Sequence, residues 1–273
     1  MTDLVLVEIK DHIADVRLNR PEKMNALSQE MWRAINDAGE RLNDNREVRA
    51  IVLSGNGRCF CAGLDMESMK QFQDRDRSAS SSNAVSIPVA APDERPGNLA
   101  QRACLVWKRL PVPVIGALHG VAYGAGAQIA LGTDIRIAAP DLRLSIMEIK
   151  WGLIPDVGIT QTLRDLVPLD VAKELVFTGR ILDSEEAKAL GLVSHIADDA
   201  HARAMDLARE IASKSPDAIR SGKRLFEETW RADERTGLEL ETKLQVELIG
   251  SENQIEAVRA NFDKRAPDFK DAV

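Results

Sequence analysis

Residues 119–134 read HGVAYGAGAQIALGTD, and they follow VPVIGALHG at residues 112–120. The apolar, β-branched run before Gly120 has the pattern of a buried strand. Gly120, Gly124 and Gly126 then crowd into a turn, and the segment from about Ala125 has helical spacing. Strand, glycine turn and helix recur around residues 51–69 and again around 134–149. This alternation predicts an α/β fold with mostly parallel strands. VRAIVLSG (48–55) and TDIRIAA (133–139) are the companion strands. LVLVEI (4–9) and HIADVRLN (12–19) alternate apolar and polar residues like a strand pair.

Outward from this centre, residues 28–43 show helical spacing through Met31, Ile35, Ala38 and Leu42. From about residue 160 the pattern is helical. Asp183 or Ser184 reads as an N-cap and Gly191 as a stop. Ser215 reads as an N-cap with Pro216 at the first helical position. These signals predict a core over residues 1–197 and a helical C-terminal region over 198–273. Residues 73–98 are rich in Ser, Pro and Asp. They read as a long loop, either a functional lid or a surface insertion.

Composition narrows the function. The chain has 273 residues and a net charge of -7, which argues against general nucleic-acid binding. No run of about 18 apolar residues is present, so no membrane span is expected. The start lacks a basic segment followed by an apolar one, so no signal peptide is expected. Cys59, Cys61 and Cys104 form an odd, sparse set, as in reduced, cytoplasmic proteins. Cys59-Phe-Cys61 lacks the spacer of a zinc or redox pair, so no metal is expected. The four histidines, His12, His119, His195 and His201, have no nucleophile or metal partners at motif spacing and read as structural or exposed.

Two stretches carry chemistry. GRCFCAGLDM (57–66) repeats the strand-to-helix glycine turn of residues 119–134, with AGLD at the apparent start of a helix. Unpaired N–H groups at two such helix starts could converge on one oxyanion. From spacing alone, the same glycines serve equally well as close-packing residues between strand and helix.

In order along the chain stand NRPEKMNAL, FCAGLD, HGVAYGAGAQIALGTDIRIA, GLIPDVGITQTL, FTGRILDSEEAKALGLV and NFDKRAPDF. Together they resemble the enoyl-CoA hydratase/isomerase, or crotonase, superfamily over nearly the whole length. The resemblance implies a spiral of ββα turns with a helical C-terminal region that builds a homotrimer or a dimer of trimers. It implies acyl-CoA substrates, with CoA as part of the substrate and no separate cofactor. It places an oxyanion hole at the amides of Leu64 and Ala125. The family often has Gly at the second position, but Ala125 keeps the amide hydrogen.

Hydratases of this family carry two Glu carboxylates around one water. The second matches Glu148 in SIMEIKWG. The first matches Gln128, whose amide cannot take a proton at neutral pH. Glu148 is therefore the expected acid/base, the alternative being a solvated helix charge. Asp156, in GLIPDVGI, partly resembles the acid of the dienoyl-CoA isomerase branch, which has a further Asp where Gln128 stands. Asp156 is expected either as a second acid or as a turn residue capping the next helix. Gln128 is expected to orient substrate or water. Lys23, Met24, Ala62, Asp65 and Lys264 match positions near the CoA, Lys264 across a subunit boundary in some relatives.

These assignments imply isomerisation of an unsaturated acyl-CoA. One alternative is hydration of a 2-enoyl-CoA through Glu148 alone, slow and raised by Gln128→Glu. Others are the hydrolase or decarboxylase branches, or a CoA-thioester binding protein without turnover.

Overall fold

The computed structural model describes residues 3–65 and 96–272. The expected helix after Leu64 and most of the 73–98 loop lie outside the described residues.

Strand β1 (Val5–Lys10) pairs antiparallel with β2 (Ile13–Leu18), and β2 runs parallel to β3 (Ala50–Gly55). The sheet continues in parallel through β4 (Val114–Leu118), β6 (Ile135–Ala138) and the short β9 (His195–Ile196), in the order β1-β2-β3-β4-β6-β9. A second sheet holds β5 (Val121–Tyr123), β7 (Arg143–Ser145) and β8 (Leu182–Asp183), with β5 parallel and β8 antiparallel to β7. β4 leads straight into β5 and β6 into β7, so successive strands step from one sheet to the other and the chain spirals. This is the crotonase-type α/β architecture.

Helix α1 (Gln29–Asn43) starts at Ser28, whose side chain accepts from the Met31 amide. It buries Met31, Ile35, Ala38 and Leu42. Helix α2 (Leu99–Arg109) starts with a reciprocal capping box between Asn98 and Gln101. Helix α3 (Ala125–Leu131) is buried throughout. The third strand–turn–helix segment differs from expectation. Residues 134–149 give two strands and then a single 3-10 turn over Glu148–Trp151. Chain reversal at Gly152, with φ 69°, ends that turn before a helix can form.

Beyond it come α4 (Ile159–Thr162), α5 (Leu169–Thr178), α6 (Ser184–Ala189), α7 (Ala200–Ala212), α8 (Pro216–Thr229), α9 (Glu234–Leu248) and α10 (Glu252–Asp263). Asp183 caps α6 and Ser215 caps α8. β8 and β9 interrupt the helical stretch. At two residues each they carry no periodicity to read.

α7 lies directly on the main sheet. Its buried face is Ala200, Ala204, Ala208 and Ala212, set against Ile13, Ala50, Val52, Ile115, Ala117 and Ile137. Alanines at four-residue spacing let the helix axis approach the strands closely. At the edge of this contact Asp15 of β2 is 7% exposed. It faces His201 Nε2 of α7 at 3.1 Å and accepts from Arg17 Nε at 3.0 Å. Burial alone would raise the Asp15 pKa, but the hydrogen bonds from His201 and Arg17 outweigh it and hold the pKa below the usual 3.8. A carboxylate with a depressed folded pKa stabilises the fold above its unfolded pKa and loses that contribution as pH falls through the folded value. Thermal melts should therefore show Tm falling below about pH 4, and Asp15→Asn should flatten that fall. Parallel Tm–pH curves for the two proteins would exclude Asp15 as the source.

Candidate active site

The site grows from the C-terminal ends of β3 and β4. After β3 the chain runs beside the second sheet. Cys61 bridges to Ala122 of β5, and the Tyr123 amide donates to the Cys61 carbonyl at 3.0 Å. Gly126, in the first turn of α3, lies on this segment. A Cβ built there would stand 2.5 Å from the Cys61 carbonyl oxygen. Only a residue without a side chain lets the start of α3 touch residues 61–63. Gly126→Ala should thus displace that start and lower stability by about 2–3 kcal/mol. A thermal melt with Tm within a degree of wild type would contradict this packing account.

Gly124 precedes α3 with φ 52° and ψ -121°, a conformation side chains rarely adopt. It turns the Ala125 amide to the head of the helix, where no intrahelical acceptor exists. Across from it, Gly63 packs on the same backbone, its would-be Cβ 3.7 Å from the Ala125 nitrogen. Leu27 and Leu64 form a parallel bridge that uses the amides of Leu27 and Asp65 and leaves the Leu64 amide pointing the other way. Neither the Leu64 nor the Ala125 amide donates to an acceptor among the described residues. Two unsatisfied donors on touching backbones can hold a developing oxyanion.

Beside Gly124 sits Glu148, whose Oε1 would be 3.3 Å from a Cβ there. Gln128 of α3 is 0% exposed and reaches Glu148 from behind. Its Nε2 donates to Glu148 Oε1 at 2.6 Å, and its Oε1 accepts from the Val157 amide at 2.8 Å. The Gln128 amide is thus turned to Glu148 and to the loop that carries Asp156. Glu148 Oε2 is buried and has no hydrogen-bond partner among the described residues. Burial pushes the Glu148 pKa above the usual 4.5, and the nearby Asp156 charge pushes the same way. The Asp156 pKa is also raised, by partial desolvation in its turn. Asp156 does not cap α4: Gly158 holds the N-cap position, with no side-chain cap. One carboxylate oxygen is thus fixed, the other has no partner among the described residues, and a second acid stands within electrostatic reach.

The other expected site residues take different places. Lys23 ends an exposed 3-10 turn (Pro21–Lys23), and Met24 follows it with φ 54°. The Met24 carbonyl accepts from the Ala62 amide at 2.9 Å, so the two turns abut. Asp65 is 4% exposed and forms an ion pair with Arg20, which joins the 19–27 turn to the 60–65 loop. Lys264 is the exposed C-cap of α10 and has no ion pair among the described residues. Within one chain, no contact brings it to Glu148.

Sequence reasoning missed Asn25. It is fully buried with φ 54°. Its amide donates to the carbonyls of Asn56, Cys59 and Phe60, and its carbonyl accepts from the Arg20 amide. It braces the loop that carries Leu64. The signal was an Asn in a turn, the residue type that tolerates the left-handed region.

The three cysteines are buried. Burial pushes the Cys61 and Cys104 thiols up to about 12 and raises Cys59, so all three stay protonated at neutral pH. No group of three or more His, Cys, Asp or Glu among the described residues could hold a metal ion. No helix among them is long and apolar enough to cross a membrane.

The family model described as enoyl-CoA hydratase/isomerase matches residues 8–272. The chain belongs to the enoyl-CoA hydratase/isomerase family. As a family member it is an acyl-CoA enzyme. It is 33% identical over 267 residues to enoyl-CoA hydratase EchA19 of Mycobacterium tuberculosis, covering 97% of this chain and 96% of that one. It is 33% identical to the human mitochondrial methylglutaconyl-CoA hydratase, covering 93% of this chain and 72% of the relative. Among solved structures, the enoyl-CoA hydratase of Bacillus anthracis superposes with a TM-score of 0.84 at 28% identity, over 98% of this chain and 99% of that one. The hydratase of Polaromonas sp. JS666 gives 0.85 at 27% identity, over 97% and 99%.

Proposed function

We propose that the enzyme isomerises the double bond of an unsaturated acyl-CoA through an enolate. The observation that carries this reading is the arrangement at Glu148: Oε1 pinned by Gln128, Oε2 buried and without a partner among the described residues. In this reading Oε2 takes a proton from a carbon made acidic by the thioester. The electron pair moves onto the thioester oxygen, where the Leu64 and Ala125 amides hold the negative charge. A proton then returns at another carbon, from Glu148 or from Asp156, and the double bond has moved with no change in composition. Two carboxylic groups with raised pKa values suit such a transfer near neutral pH.

Gln128 supports isomerisation over hydration. Its amide can neither accept a proton nor, with its carbonyl taken by Val157, steer water as a base. The names of the relatives favour the second reading, 2-enoyl-CoA hydration through Glu148 alone. Around the two acids stand apolar residues open to solvent: Ile149, Trp151, Leu153 and Ile154, the last 76% exposed. We assign this rim to the acyl chain. Leu238, Val246 and Phe262 are exposed on α9 and α10 and suit packing between subunits, which could bring Lys264 of one chain to the CoA of the next.

Incubation with 2-enoyl-, 3-enoyl- and 3,5-dienoyl-CoA, with product analysis by chromatography, tests the reading. A shifted double bond from the 3-enoyl or dienoyl substrate is expected. A 3-hydroxyacyl-CoA product from the 2-enoyl substrate, with the other two untouched, would replace isomerisation with hydration.

A further inference from the structure

Gln128 is 0% exposed, so it does not orient substrate or water by touching them. Its backbone is fixed on both sides. The amide donates to the Gly124 carbonyl at 3.0 Å, and the carbonyl accepts from the Cys104 thiol of α2 at 3.0 Å. The side chain bridges the Val157 amide at 2.8 Å and Glu148 Oε1 at 2.6 Å.

These two partners give the bridge a direction. A backbone N–H can only donate, so the Gln128 atom facing Val157 is its carbonyl oxygen. The atom facing Glu148 is then the amino group, which can only donate in turn. Glu148 Oε1 therefore accepts in every protonation state of the carboxyl. A carbonyl oxygen accepts far better than a hydroxyl oxygen, so the close donor keeps the proton of neutral Glu148 off Oε1. That proton is directed to Oε2, which is buried and has no partner among the described residues.

We propose that Gln128 is a positioning residue that makes Glu148 a one-sided acid and base, exchanging its proton at Oε2 alone. The Val157 bond sets the direction of the Gln128 amide. Val157 follows Asp156, so the same side chain also holds the loop of the second acid in register with Glu148. The catalytic consequence rests on the enolate reading; the direction of the bridge rests on hydrogen-bond polarity alone. Among the described residues, Asp156 is the charged group that acts on Glu148, while α3 presents the neutral Gln128 and the turn before it Gly124. Burial raises the Glu148 pKa most, and the bond from Gln128 is among the interactions that hold it down.

Infrared difference spectra of the free enzyme across pH test this. Subtracting Glu148→Gln isolates the neutral Glu148 carboxyl and the pH at which it forms. Gln128→Met removes both bonds of the bridge. It is expected to raise the frequency of the Glu148 carbonyl stretch and to move the titration up by about one to two pH units. The acid limb of kcat/KM should move with it. Gln128→Glu keeps the acceptor for Val157 but sets a second carboxyl where the donor stood, 2.6 Å from Glu148 Oε1. Such a pair holds one proton between its members, so the titration should move up further and kcat should fall. This near-isosteric change keeps the test intact if Gln128→Met fails to fold. An unchanged Glu148 titration in a folded variant would overturn the proposal. Faster water addition to 2-enoyl-CoA by Gln128→Glu would also overturn it, because the side chain at 128 would then act on water. The spectra are read without substrate, so hydration by wild type would replace the proposed reaction and leave the titration result standing.

Discussion

Glu148→Gln is expected to lower kcat by roughly 10²–10⁴-fold, the usual worth of a positioned acid/base, with little change in KM. The substitution keeps the shape and lets the new carbonyl accept from Gln128 Nε2, as Glu148 Oε1 does at 2.6 Å. What disappears is the basic lone pair on the buried Oε2. Stability should move the other way. A carboxylate whose folded pKa is raised is ionised at a cost in the folded state, and the cost is present at pH values above that pKa. A neutral amide removes the cost, so Tm at pH 7 should hold or rise. Activity lost together with stability would show that the variant had merely damaged the fold. The wild-type pH profile follows from the same shift. As the base must be ionised, kcat/KM should fall as pH drops through the Glu148 pKa, at a pH above the usual 4.5. A profile flat down to pH 4.5 would assign the base elsewhere.

Ala125→Pro is expected to cost about 10²–10³-fold in kcat, the effect of removing one oxyanion donor. Ala125 is the first residue of α3, and its amide has no acceptor among the described residues. Proline suits that helical position, because the hydrogen it lacks is not used by the helix. The change therefore deletes a donor while keeping the helix start. CoA affinity and the far-UV circular dichroism spectrum should persist. Ala125→Ser, which keeps the amide, should retain most of the activity. Equal losses in both variants would point to crowding against the 61–63 segment, with no role for the amide.

The parallel sheet was legible because β3, β4 and β6 are largely buried, mostly apolar runs bounded by glycine turns or, for β6, by Thr133–Asp134 before it and Pro140–Asp141 after it. The caps at Asp183 and Ser215 were legible because each side chain bonds the local amide that its type predicts. Glu148 and Gln128 were found through motif resemblance, and no sequence pattern shows that they touch. They are 20 residues apart, on different elements, and only the step from sheet to sheet brings them together. The two hydrogen bonds of Gln128, donated to Glu148 and accepted from the Val157 amide, were equally hidden, as was the fixing of the Asp156 turn that results. Asp65 read as a ligand contact because it sits in the AGLD motif. Its burial against Arg20 depends on the fold of residues 19–27, and hydropathy does not report that pairing.

The most direct test of the enolate account is incubation of the enzyme with 3-enoyl-CoA in D₂O, read by mass spectrometry. The account predicts a product with a moved double bond, deuterium on carbon and no added water, formed by wild type and lost with Glu148→Gln. A product heavier by one water, or a moved double bond free of deuterium at partial conversion and retained in Glu148→Gln, would contradict it.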